Sequence, residues 1–310
     1  ITDRNLLRTL HEQSTGWIAG VTLMLERLRG GGSLESLQGA EALNTVFDYF
    51  AGLIFDHGSD ETREVLMKTA FLPRVSAALA EAVTGKSDAI EHIEDLYRRH
   101  LFTDRSVGGE ITYQYHALFR AFLKSKASIA YSPEECRSIA SLAAAQLQTQ
   151  SQPEPAFALF VEAEEWSGAE RIFIALAPQL LAQGRWQTLS QWIEILPQDR
   201  LDANPWVRYW HGRSLSAVRP REARSILASA FESFSKHGHK DGQLLAATGV
   251  LEALFFEYDD FSIMDSWLEH VSKLMDAGVR ARDPEEELWV QTTLMQAAVN
   301  RAPGHRRLRN

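Results

Sequence analysis

Apolar positions recur at helical spacing along almost the whole chain. Residues 5–29 read as two helices broken at Ser14-Thr15-Gly16. The second presents Trp17, Val21, Met24, Leu25 and Leu28 on one face. Gly30-Gly31-Gly32-Ser33 then forms a flexible break. A helix over about 41–57 follows, with Val46, Phe47, Phe50, Leu53 and Ile54 as its apolar set. Asp60 is expected to N-cap a helix running to Ala70, because its carboxylate can accept the orphan N–H groups of the first turn. Pro73 punctuates the next turn, and short helices are expected near 75–84 and 87–100.

The period changes only between Leu101 and Tyr115. Leu101-Phe102-Thr103-Asp104 and Ile111-Thr112-Tyr113-Gln114-Tyr115 are β-branched or aromatic runs, and Gly108-Gly109 between them signals a hairpin. Short helices, one hairpin and another helix make a winged-helix pattern. From about 134 only helix is expected, in antiparallel pairs. Turn signals fall at Pro153, Gly168, Pro178, Gly184, Pro197, Pro205, Pro220, Gly242, Gly278 and Pro284. First helices of successive pairs are expected near 205, 243 and 285, a period of roughly 40 residues that suits a helical-hairpin solenoid. Ala223, Leu227 and Ala230 fit a close helix crossing, with small residues admitting the backbone and the large one filling the groove. Trp166, Trp186, Trp206 and Trp210 stand at helical spacing and read as core rather than as ligand-stacking rings.

Composition narrows the class. The 310 residues exceed one ordinary core, so two or three domains are expected. A hydrophobic fraction of 45% excludes wholesale disorder. The single cysteine, Cys136, excludes an internal disulfide, points to a reducing, cytoplasmic compartment, and reads as a structural thiol. No apolar stretch approaches the roughly 20 residues that span a bilayer, so no membrane partner is expected. The net charge of −9 argues against nucleic-acid binding through the chain's own surface. It is uneven: residues 129–300 carry −10, whereas the last ten carry +4 from Arg301, Arg306, Arg307 and Arg309. That basic end reads as a cut end rather than a nucleic-acid contact. With Ile1 in first place and no signal-peptide pattern, a piece of a longer protein is expected.

Catalytic chemistry is hard to find. Gly85-Lys86-Ser87 looks like the end of a phosphate-binding loop, but the glycine needed five residues earlier is Ala80, inside a helical run, so Gly85 reads as a helix C-cap. His11-Glu12 begins a zinc-protease motif whose second histidine falls at Thr15. His237 and His239 flank Gly238 in a turn, with no further ligand nearby. Asp259-Asp260 falls in a turn, and Glu285-Glu286-Glu287 suits the start of a helix after Pro284. No catalytic residue and no metal ligand is expected.

Two stretches carry a resemblance. Thr15-Gly16-Trp17-Ile18-Ala19-Gly20-Val21 resembles the "GGWPAGL" run near the end of the ATPase module in MalT-type, LuxR-family ATP-dependent transcriptional regulators, with Ile18 in place of the usual proline. The second runs from Val46-Phe47-Asp48-Tyr49-Phe50 through Thr62-Arg63-Glu64-Val65-Leu66-Met67-Lys68-Thr69-Ala70-Phe71-Leu72 to Tyr113-Gln114-Tyr115-His116-Ala117-Leu118-Phe119-Arg120-Ala121-Phe122-Leu123. It resembles the winged-helix segment of those regulators, which ends in "YxYHxLFRxFL". The resemblance implies a mainly α chain: a remnant of the ATPase helical lid over 1–40, a winged-helix domain with one small β-hairpin over 41–128, and a TPR-like α-helical superhelix over 129–310 that acts as a sensor. It implies a middle portion of a signal-transducing ATPase switch of the STAND class. ATP or ADP would be bound in the parent protein by an upstream P-loop module, and none by this stretch alone. The repeat region would bind an inducer or regulatory protein, and DNA only through a further C-terminal helix-turn-helix.

His116 stands where related switches carry the histidine of an "MHD" motif that contacts the β-phosphate of ADP, although Ala117 replaces the aspartate. The competing reading is a packing histidine between wing and helix. Arg208 is expected on the concave face of the superhelix, with Trp210 inward; the groove can use it for an anionic or polar ligand, or it can simply face solvent. The alternative to the whole reading is a free-standing helical-repeat scaffold with no ATPase link.

Overall fold

The computed structural model describes residues 51–301 apart from Leu53. The helices expected over 5–29, most of the one over 41–57, the lid remnant, and Arg306, Arg307 and Arg309 lie outside the described residues. The chain divides into two compact units between Pro155 and Ala156. Among the described residues no helix is long and apolar enough to cross a membrane.

The first unit contains α1 (Asp60–Thr69), α2 (Ala77–Thr84), α3 (Ala89–Arg98), β1 (Thr103–Gly108), β2 (Glu110–Tyr115), α4 (Ala117–Ala130) and α5 (Pro133–Thr149). Ser59, not Asp60, caps α1. Its backbone is extended and its Oγ accepts the Thr62 N–H at 3.1 Å, while Asp60 falls inside the first turn, where a carboxylate still suits the helix dipole. Ser76 caps α2 in the same way, and Gly85 ends it in the left-handed region at φ 76°, as expected of a C-cap.

The strands pair antiparallel from Thr103↔Tyr115 to Gly108↔Glu110. The hairpin therefore reaches further toward its tip than the expected strand Leu101–Asp104, because Phe102 takes positive φ and turns the chain into β1. Val75 adds a third, one-residue strand: its N–H donates to the Tyr113 carbonyl at 2.7 Å, and the return bond is 2.8 Å. Helix, short strand, two helices and a two-stranded wing is winged-helix topology. Leu66, Leu72, Ile93, Phe119 and Leu123 fill its core. Phe119 stacks on Phe102 and meets Tyr115 edge-on. Ser132 and Glu135 form a reciprocal capping box on α5, which packs on α2 and α4, so the compact unit runs on past residue 128.

The second unit, which begins within α6 (Pro153–Glu162), has only helices and connecting turns among its described residues. It continues with α7 (Trp166–Ala182), α8 (Trp186–Ile195), α9 (Gln198–Ala203), α10 (Pro205–Leu215), α11 (Pro220–His237), α12 (Lys240–Glu257), a 3₁₀ turn, α13 (Met264–Asp276) and α14 (Pro284–Arg301). The first helices thus begin at Pro205, Lys240 and Pro284, close to expectation. Contacts run α10 to α11, α11 to α12, and α12 to both α13 and α14.

Three of the expected turn signals are not turns. Gly168 and Gly242 lie inside α7 and α12, where an added Cβ would come within 2.6 Å and 2.4 Å of the rings of Phe160 and Phe234. These glycines are notches for a facing phenylalanine. Pro178 lies inside α7 on its exposed face, while Ala177 and Leu180 beside it are buried and hold the helix across the lost hydrogen bond. The expected crossing is present: Ala223, Leu227 and Ala230 are buried, and a Cβ on Gly212 of α10 would meet Leu227 at 2.6 Å.

Candidate functional site

The β2–α4 junction holds the motif residues. Thr69 Oγ1 donates to the Val65 carbonyl at 2.7 Å, so the Tyr115 hydroxyl, 2.8 Å away, donates to Thr69. Burial pushes the Tyr115 phenol far above its ordinary range, which keeps it neutral and a donor. His116 follows, half-buried at the N-cap position of α4, with its N–H donating to the Phe102 carbonyl at 2.8 Å and its carbonyl accepting the Arg120 N–H at 2.9 Å. Arg120 reaches back to α1: its Nε and Nη2 donate to the Ala70 and Phe71 carbonyls, each at 2.7 Å. A helix leaves its last carbonyls without intrahelical partners, and a guanidinium suits that negative dipole end. One turn of α4 therefore carries both the histidine and the group that closes α1.

The phosphate-loop likeness dissolves in the structure. Lys86 Nζ lies 3.0 Å from Glu61 Oε1 and 3.0 Å from Glu64 Oε2, and Lys68 joins Glu64 at 2.7 Å. Hydrogen bonds from Lys68 and Lys86 hold the Glu64 carboxyl below its ordinary range. Helix α3, which precedes the wing, has an acidic face. It presents Glu91, Glu94 and Asp95, and its Arg98 and Arg99 are paired with Glu94 and Asp95.

In the second unit Arg208 turns to its own neighbourhood. Its Nη2 donates to the Asp202 carboxylate at 2.8 Å, and its Nη1 to Ser229 Oγ of α11 at 3.1 Å. The residue that joins the first helices is instead Arg213. Its Nη1 donates to the Tyr209 hydroxyl at 3.0 Å, its guanidinium carbon lies 3.6 Å from the ring centre of Trp289, and its Nε is 3.4 Å from Glu252. Trp289 Nε1 in turn donates to Glu252 at 2.8 Å. One clamp thus links α10, α12 and α14. Arg282 covers Trp206 at 4.2 Å and pairs with Glu286. Trp210 is buried as expected, whereas Trp166, Trp186 and Trp206 are half-buried. Sequence alone does not reveal the Arg213 set, because only the four-residue step from Tyr209 to Arg213 is local.

The remaining candidates stand as structural groups. His237 and His239 are exposed, and His237 Nδ1 lies 2.8 Å from the Ser233 carbonyl. Asp259 pairs with Arg221 at 2.9 Å, and Asp260 caps the 3₁₀ turn. Glu285, Glu286 and Glu287 occupy the first turn of α14. Half-buried Cys136 lies 3.8 Å from the Ala127 carbonyl. Arg301, in the basic end, pairs with Asp265 at 2.8 Å. Glu61, Asp88 and His92 bring ligand-type atoms together in the first unit.

Comparison with known proteins gives these features a setting. Residues 51–135 match the family described as the MalT winged helix domain. The chain is 26% identical over 200 residues to the HTH-type transcriptional regulator MalT of Cronobacter sakazakii, covering 63% of this chain and 22% of that protein. It is 26% identical over 241 residues to the protein of the same name in Vibrio campbellii, covering 76% of this chain and 26% of that protein. It is also 27% identical over 121 residues to the serine/threonine-protein kinase PknK of Mycobacterium tuberculosis, covering 38% of this chain and 11% of that protein. The chain thus spans about a quarter of the length of the MalT relatives.

Proposed function

We propose, from the premise that residues 51–135 are a winged-helix domain of the MalT type, that this chain is the regulatory and sensing middle portion of an ATP-dependent transcriptional regulator. The observation that carries the reading is the reach of the likeness. An alignment of 241 residues extends well beyond the winged helix into the helical pairs. In the parent protein an ATPase module would hold ATP or ADP, with the winged helix closing over the nucleotide in the resting state. His116 would donate from its imidazole to a β-phosphate oxygen of ADP, a bond that strengthens when the ring is protonated. The helical unit would bind an inducer or a regulatory protein, and a separate helix-turn-helix would bind DNA. The acidic surface of α3 and the net charge of residues 129–300 support a DNA contact outside this chain. The chain itself has a binding role rather than a catalytic one, and the parent protein would be a slow switch ATPase of the cytoplasm.

The test is His116→Ala in the parent protein. Faster ADP release and raised basal transcription are expected. Unchanged release and unchanged basal transcription overturn the role of His116. The likeness to a protein named as a kinase favours a second reading, an interaction scaffold whose output is not tied to an ATPase. A P-loop module encoded just ahead of Ile1 separates the two: the first reading requires it and the scaffold does not.

A further inference from the structure

We propose that Glu61, Asp88 and His92 form a binding site for a divalent transition-metal ion, best matched by zinc, that ties α1 to α3 within the winged-helix unit. One ligand atom from each residue lies within 4.8 Å of the others. Donors around a zinc ion sit roughly 3–4 Å apart, so a small rotamer adjustment closes the set. Asp88 and His92 are four residues apart at the start of α3, which brings them to one helix face, and Glu61 comes from the first turn of α1.

Two further observations single this cluster out from ordinary surface charge. Asp88 occupies the N-cap position of α3, where an aspartate normally accepts a backbone N–H, yet its side chain makes no capping bond. His92 is also oriented from behind. Its Nδ1 lies 3.0 Å from Thr62 Oγ1, which lies 2.9 Å from Ser59 Oγ. With Thr62 donating to Ser59, the Thr62 oxygen accepts the Nδ1–H and leaves the Nε2 lone pair for a metal. An acceptor that holds the second ring N–H and so fixes the tautomer is the usual outer support of a metal-bound imidazole, and the Thr62 hydroxyl takes that place here.

The chemistry of the donors sets the ion class. One imidazole with two carboxylates suits zinc better than magnesium, which prefers oxygen ligands and retains its water. The exposure of Glu61 and Asp88 leaves room for water to complete the coordination. Lys86 is the built-in competitor, its ammonium 3.0 Å from Glu61. Metal binding at Glu61 displaces it, and Glu64 remains as its partner at 3.0 Å. The site is therefore weak until that lysine is removed.

The experiment titrates the whole chain with Co²⁺ as a visible-absorbance probe and with Zn²⁺ in thermal unfolding. The expected result is a tetrahedral-type cobalt band, competed away by zinc, with a zinc-dependent rise in the Tm of the winged-helix unit. His92→Ala and Asp88→Asn should remove the band, with circular dichroism confirming that both variants are folded. Thr62→Val should weaken binding by about 10- to 100-fold, and Lys86→Met should tighten it. No zinc-dependent shift in the wild-type chain overturns the proposal. So does a cobalt band that survives His92→Ala, since that band would come from other histidines.

Discussion

The two units are held together in different ways. In the winged helix, a few polar bonds join residues far apart in sequence: Arg120 to the end of α1, Tyr115 to Thr69, and Val75 to Tyr113. In the helical unit, glycine notches take a facing side chain, and guanidinium groups lie on tryptophan rings. The Arg120 and Tyr115 bonds each need one particular side chain, whereas the Val75–Tyr113 pair is backbone alone, so the winged helix leaves a readable motif around the first two. Notches and stacks tolerate many solutions with the same period, so the helical unit leaves little beyond its rhythm.

The sharpest way to break this contrast is Phe119→Ala. Phe119 is fully buried and touches the rings of Phe102, Tyr115 and Phe122. Truncation should cost about 3–5 kcal/mol in denaturant unfolding of the winged-helix unit. The second unit should keep its helical signal, and simultaneous loss of both would show that the units are not independent. Next comes Gly242→Ala. In an open helix this change gains about 1 kcal/mol, but the Phe234 ring reverses the sign, and a loss of about 1–3 kcal/mol is expected. A stabilised variant would show that the notch is not a close approach.

Arg120→Met keeps the stem of the side chain and removes its two bonds to the end of α1. A loss of about 1–2 kcal/mol is expected by chemical denaturation, smaller than for a wholly buried charge because the site is partly exposed. The smallest effect is the pH dependence from His211. Burial holds its imidazole below the ordinary 6.5, with Glu222 opposing and Arg219 adding to that shift. The unfolded chain therefore binds more protons between the two values, and stability falls as pH drops through about 6.5. His211→Gln should flatten that part of a Tm-against-pH curve.

The same contrast explains what the sequence could carry. The hairpin, the Gly85 cap, the winged helix and the starts of α10, α12 and α14 follow from local period and turn chemistry. The cap of α1 lies one residue before the expected Asp60, since Ser59 and Asp60 can both cap and only backbone geometry selects Ser59. Gly168 and Gly242 signal turns in the sequence because a glycine near a helix start looks the same whether it bends the chain or receives a ring from another helix. In the candidate site, His116 stood out by its neighbours in the motif. The partners of Arg208 and the Arg213 clamp were hidden, because helical phase gives a residue's side of the helix but not what lies opposite.

The bond from Arg120 to α1 has a mechanical consequence. His116 and Arg120 sit at the two ends of a single turn, joined by the bond from the Arg120 N–H to the His116 carbonyl. The turn that places His116 is thus also the turn that places the guanidinium on the Ala70 and Phe71 carbonyls. One covalent turn therefore has two attachments, and neither can be re-set without loading the other.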